Sequence, residues 1–80
     1  MRVLVTGADA ATLRRARRLY GYHRLEVIDE IGDALSRCAK ARYDLVICGL
    51  PQHDALAEHF LECLEVLNPT LTSRTLFLAG

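Results

Sequence analysis

The sequence lacks an excess of either charge: ten basic and ten acidic residues cancel. No global field therefore draws the chain to nucleic acid or to a membrane surface. It lacks a long apolar run, and nothing in it approaches the ~20 consecutive apolar residues of a membrane helix. It also lacks an even, closely spaced set of cysteines. Cys38, Cys48 and Cys63 are three in number and far apart, which argues against a disulfide framework and for reduced, buried thiols in a cytoplasm. The opening MRVLVTGADAATLRRARR has neither the extended apolar segment nor the cleavage site of a secretory leader. No repeat, linker or low-complexity stretch interrupts the chain.

What is there reads as one small globular domain over residues 1–80. Apolar residues make up 51% and charged residues 25% of the chain, a composition that collapses rather than stays disordered. So short a chain buries only roughly 60% of the surface that its unfolded form exposes, so its core is thin. Short β-branched runs alternate with runs of helical period. Arg2–Thr6 (RVLVT) is a strand stopped by Gly7. Asp9 can cap a helix over Ala10–Tyr20 with an apolar stripe of Leu13, Ala16, Leu19 and Tyr20. Leu25–Ile28 is a second strand. Ile31, Ala34, Leu35 and Cys38 place a second helix over about Glu30–Ala41. Asp44–Leu50 (DLVICGL) is a continuous apolar run, as in a strand buried on both faces, and Pro51 breaks it. Leu56, Phe60, Cys63, Leu64 and Leu67 mark a third helix over His53–Leu67, ended by Asn68-Pro69. Arg74–Ala79 (RTLFLA) is the last strand. The order β-α-β-α-β-α-β with short connections implies a three-layer α/β fold with a four-stranded parallel sheet.

Three segments resemble the receiver domain of bacterial response regulators. LVTGADAATLRRARRLY is similar to the family's first strand, acidic cluster and first helix. YDLVICGLP resembles its third strand, and LNPTLTSRTLFLAG the approach to its fourth. The resemblance implies the flavodoxin-like strand order 2-1-3-4, with the chain stopping at Gly80 before a fifth strand and helix. It also implies where the phosphotransfer parts belong: a metal-holding acidic cluster, an aspartate nucleophile, a hydroxyl residue and a lysine. The cluster is reduced to Asp9, the nucleophile's place falls at Cys48 or Gly49, the hydroxyl's place is Ala79, and no fifth strand supplies a lysine. Loss of all four parts points to a degenerate receiver that has abandoned phosphotransfer.

Other chemistries find weak footing. A dinucleotide loop needs further glycines after Gly7, and the chain offers Ala8, Ala10 and Ala11 with none until Gly21. His59 and Cys63, spaced i, i+4 with His53 upstream, could grip zinc but have no further ligand at motif spacing. A thiol at Cys48 among apolar neighbours is expected to be inert. No catalytic residue, cofactor or metal is therefore expected. The charged features are local. Residues 1–24 hold six arginines against Asp9 alone, four of them (Arg14, Arg15, Arg17, Arg18) on the first helix, while the third helix carries Asp54, Glu58, Glu62 and Glu65. The arginines are either a solvated face or a docking patch for an acidic protein surface, or for a phosphate backbone.

The expectation is thus a cytoplasmic, non-enzymatic interaction module of bacterial signalling or transcription, with nucleic acid as the second class of partner. Without a fifth helix, the first helix alone must cover its face of the sheet. The last strand is then an apolar edge, and Thr75, Leu76, Phe77, Leu78 and Ala79 are expected to form a homodimer interface.

Overall fold

The computed structural model describes residues 1–78. It comprises β1 (Arg2–Thr6), α1 (Ala10–Tyr20), β2 (Arg24–Ile28), α2 (Ile31–Lys40), β3 (Leu45–Cys48), α3 (Ala55–Leu67), α4 (Pro69–Thr72) and β4 (Thr75–Phe77). The four strands form one parallel sheet in the order β2-β1-β3-β4. This is the α/β architecture and strand order that the alternation of segments and the receiver resemblance imply. Among the described residues no helix is long and apolar enough to cross a membrane.

Local chemistry accounts for the element ends. The carboxylate of Asp9 accepts the Thr12 N–H at 2.8 Å and opens α1. Asp54 does the same for α3 through the Leu56 N–H at 2.8 Å, so that helix starts at Ala55 rather than His53. Asn68 closes α3 by donating its N–H to the Leu64 carbonyl at 2.7 Å. Pro69 then opens a helical turn, α4, which the sequence reading passed over. Proline stops the preceding helix but is preorganised for the first position of the next. That turn buries Leu71 beneath the sheet end.

Register assigns the side chains to two faces. Leu4 and Val46, in line across β1 and β3, join Ala34, Cys38, Tyr43, Phe60, Leu64 and Leu71 in a core closed by α2 and α3. Val3, Val5 and Ile47 point the other way and meet only Ala16 of α1 as a fully buried partner, with Leu13, Tyr20, Leu25, Leu45 and Leu78 around them. The two faces are unequal. One helix lies over the central strands, and the outer strands show beside it: Val27 of β2 is 37% exposed and Leu76 of β4 39%.

Two helical stripes differ from the expected ones. In α1 the buried positions are Thr12 and Ala16, while Leu19 is 54% exposed. The face turned to the sheet is centred toward Leu13 and Tyr20, which leaves Leu19 on its flank. In α3 the sheet takes Ala57, Phe60 and Leu64, whereas Leu56 and Leu67 face outward. Both stripes have helical period. Period alone does not say which one meets the sheet.

Burial lifts the Cys38 thiol from 9.0 to about 11. Burial, followed by hydrogen bonding to Glu26, lifts the Tyr43 phenol from 10.0 to about 12. The folded chain keeps both protons in a range where the unfolded chain releases them. Their contribution is therefore complete below about pH 9 and is lost as pH rises from there to about 12. Thermal unfolding followed against pH should show this alkaline decline. Cys38→Ala should flatten its lower part and Tyr43→Phe its upper part; a midpoint unchanged through the whole range would contradict the assignment.

Candidate functional site

In a parallel sheet the loops after the strands gather at one edge, where ligands of open α/β folds usually bind. Here the middle of that edge, between the ends of β1 and β3, is closed by its own backbone. Gly7 adopts φ 64°, a left-handed turn open to glycine. It directs the loop after β1 across the end of β3. The Gly49 N–H donates to the Thr6 carbonyl at 2.9 Å and the Gly7 N–H to the Asp29 carbonyl at 3.3 Å. A Cβ on Gly49 would sit 2.4 Å from the Ala8 Cα and 2.7 Å from the Gly7 carbonyl oxygen. No side chain fits there without moving the first loop.

Two of the other positions singled out as degenerate phosphotransfer parts, Asp9 and Cys48, have structural roles. The Asp9 carboxylate is held by the Thr12 N–H, and that hydrogen bond keeps its carboxyl below the usual carboxylate range. Cys48 is fully buried, and burial pushes its thiol up, away from the reactive thiolate. Ala79 lies outside the described residues. Among the described residues no three His, Cys, Asp or Glu side chains cluster as a metal site. His59 Nε2 and Cys63 Sγ approach to 3.6 Å as a pair.

The arginines singled out on α1 are exposed: Arg14, Arg15, Arg17 and Arg18 all lie away from the sheet. None forms an ion pair among the described residues. Exposed apolar groups stand near them in sequence, Leu19 on the helix and Tyr22, 99% exposed, just after it.

The edge strand divides between the two faces. Thr75 and Phe77 are half-buried toward α2 and α3, and the Thr75 hydroxyl donates to the Leu71 carbonyl at 2.8 Å. Leu76, in register with Ile47, emerges on the α1 face. Leu78 packs against the cluster under α1 and lines a shallow groove of about 250 Å³ with Ala11, Thr12 and Arg15. The structure therefore joins two features that the sequence left separate, since the start of the arginine helix and the residue that follows β4 share one groove.

Two further features were missed. One is the outer stripe of α3, where Leu56 is 57%, Val66 83% and Leu67 47% exposed. With His59 and Cys63, Val66 and Leu67 border an apolar groove of about 430 Å³. A helix with apolar residues on two faces was the available signal. The other is a polar cluster where the strands begin. Glu26 accepts from Arg2 at 2.6 Å and from the Tyr43 hydroxyl at 2.5 Å, with Arg37 at 3.7 Å. The Arg2 guanidinium lies 4.9 Å from the centre of the Tyr43 ring. Hydrogen bonds from Arg2 and then Tyr43 hold the Glu26 carboxyl below its ordinary range. Such a cluster is assembled from β1, β2, α2 and the segment before β3, so no local motif announces it.

The closed edge makes a direct expectation. Gly49→Ala should destabilise the protein by more than ~2 kcal/mol, because backbone rather than a flexible side chain blocks the new methyl group. Chemical denaturation measures the loss. A neutral substitution would mean that the first loop stands clear of β3.

Comparison of the chain with protein families, with curated proteins and with solved structures finds no match.

Proposed function

We propose that this chain is a receiver-like, non-phosphorylated interaction module that works by protein contact, as a homodimeric adaptor or regulator in bacterial signalling or transcription. The observation that carries this reading is the filled space at Gly49, where the Ala8 backbone would lie 2.4 Å from a side chain's first carbon. A receiver's acceptor carboxylate needs that space, and a fold that fills it retains the scaffold without the chemistry. The three unpaired cysteines support a cytoplasmic setting.

The uneven coverage of the sheet supports association. Beside α1, Leu76 is 39% exposed at the β4 edge, and Leu78 borders a groove with Arg15. A two-fold pairing there would cover both leucines with their own copies. β4 is three residues long, so side-chain packing rather than a long hydrogen-bonded ladder would hold the pair. A second reading, contact with a nucleic-acid backbone, is favoured by the four exposed α1 arginines without acidic partners. Its signature is an affinity that falls steeply with salt.

Treatment with acetyl phosphate and Mg²⁺ should leave the intact mass unchanged. A hydroxylamine-sensitive phosphoryl adduct on any aspartate would end the proposal. Sedimentation separates the assembly question from the chemical one. The wild-type chain is expected to run as a dimer at roughly tens of micromolar, and Leu76→Asp as a folded monomer with an unchanged far-ultraviolet spectrum. A monomeric wild type would refute the homodimer and leave a hetero-partner for the same edge.

A further inference from the structure

Every strand of the sheet is led in by an arginine. Arg2 opens β1, Arg24 opens β2, Arg42 precedes β3 by the short segment Tyr43-Asp44, and Arg74 directly precedes β4. Because the strands are parallel, all four starts lie at one edge, opposite the closed edge described above. Two carboxylates share this end. Glu26 is committed to Arg2 and Tyr43, and the Asp44 carboxylate accepts the Arg2 backbone N–H at 2.8 Å through one oxygen.

Between β1, β3 and the α4 turn lies a cavity of about 460 Å³, lined by Arg2, Arg42 and Arg74 together with Asp44, Asn68 and Thr70. Its volume lies within the range of about 300–1,000 Å³ typical of small-molecule sites, and it is open to solvent, with Arg42, Asp44, Thr70 and Arg74 exposed. Arg2 is neutralised by Glu26. Arg42 and Arg74 have neither an ion pair nor a side-chain hydrogen bond among the described residues. Two uncompensated guanidinium groups at one cavity form the donor forks that phosphate and carboxylate oxygens fit. Asp44 is the informative exception. A pocket for a bare polyanion gains nothing from a carboxylate in its wall, whereas a ligand bearing hydroxyl groups can donate to the oxygen that Arg2 leaves unused. Asn68 and Thr70 add two more side chains that pair with hydroxyls.

We propose that this cavity binds a small phosphate monoester carrying several hydroxyl groups, a sugar phosphate in chemical class. Arg42 and Arg74 grip the phosphate, and Asp44, Asn68 and Thr70 meet the hydroxyls. The site is independent of the interaction reading, since it uses the opposite end of the sheet and none of the α1 arginines.

Titration calorimetry with ribose 5-phosphate on the whole chain tests it, with inorganic phosphate and ribose as separate arms. Ribose 5-phosphate should bind at least about tenfold more tightly than inorganic phosphate, and ribose alone should not bind detectably. Replacing Arg42 and Arg74 together with glutamine should weaken ribose 5-phosphate by tenfold or more, about the worth of a lost charge-assisted contact. Both arginines lack structural partners, so the double variant should keep the wild-type melting temperature. Arg14→Gln combined with Arg15→Gln removes the same charge from α1 and should leave the affinity unchanged. Absence of binding, an affinity no better than that of inorganic phosphate, or equal losses in the two double variants would overturn the site.

Discussion

The structure depends on one constraint: a parallel strand has two faces, and each needs apolar cover. Four strands here share three helices and a short turn. α2, α3 and α4 divide the work on one side, and the large buried groups Leu4, Tyr43, Phe60, Leu64 and Leu71 collect there. On the other side α1 is alone among the described residues. It seals Val3, Val5 and Ile47 over the middle of the sheet and leaves the outer strands partly bare. Cover is thus spent on the centre, where β1 and β3 have neighbours on both sides and must be dry. The deficit appears at the edges, as exposed Val27 and Leu76. Apolar surface beside an open strand edge is where a second chain gains most by docking.

The two ends of the sheet have opposite characters for reasons of backbone and charge. At the end where the strands finish, Gly7 in a left-handed turn and Gly49 without a side chain let two loops pack so closely that a Cβ on Gly49 would overlap the Ala8 backbone. Tight packing there leaves no room for a side chain at Gly49. At the end where the strands begin, Arg2, Glu26 and Tyr43 are joined by short hydrogen bonds and surrounded by further arginines. One scaffold therefore places its polar, accessible chemistry at the end that open α/β proteins commonly leave unused.

Much of the fold was legible in the chain itself. The alternation of RVLVT, LEVI and DLVICGL with helix-period runs, punctuated by Gly7, Gly21, Pro51 and Asn68-Pro69, specified every element but α4, in order. Asp9 announced the start of α1, and the burial of Cys38 and Cys48 followed from their apolar neighbours, whereas Cys63, also expected to be buried, is half-exposed on the outer side of α3. These are local facts: capping, backbone restriction and periodicity act within a turn or two of chain, so they can be read in one dimension.

What the tertiary structure decided is which of two equally periodic faces turned inward, and what met what across the sheet. Leu19, Leu56 and Leu67 fit their helical stripes and are nonetheless exposed, because the angle at which each helix lies on the sheet selects the buried face. The obstruction of Gly49 by Ala8, the union of Arg2 with Glu26 and Tyr43, and the cavity between Arg42 and Arg74 each join residues from different strands or loops. Composition and spacing along the chain determined the parts. Contacts between residues tens of positions apart are fixed only when parallel pairing brings the strand ends together, and there the polar clusters of this protein were decided.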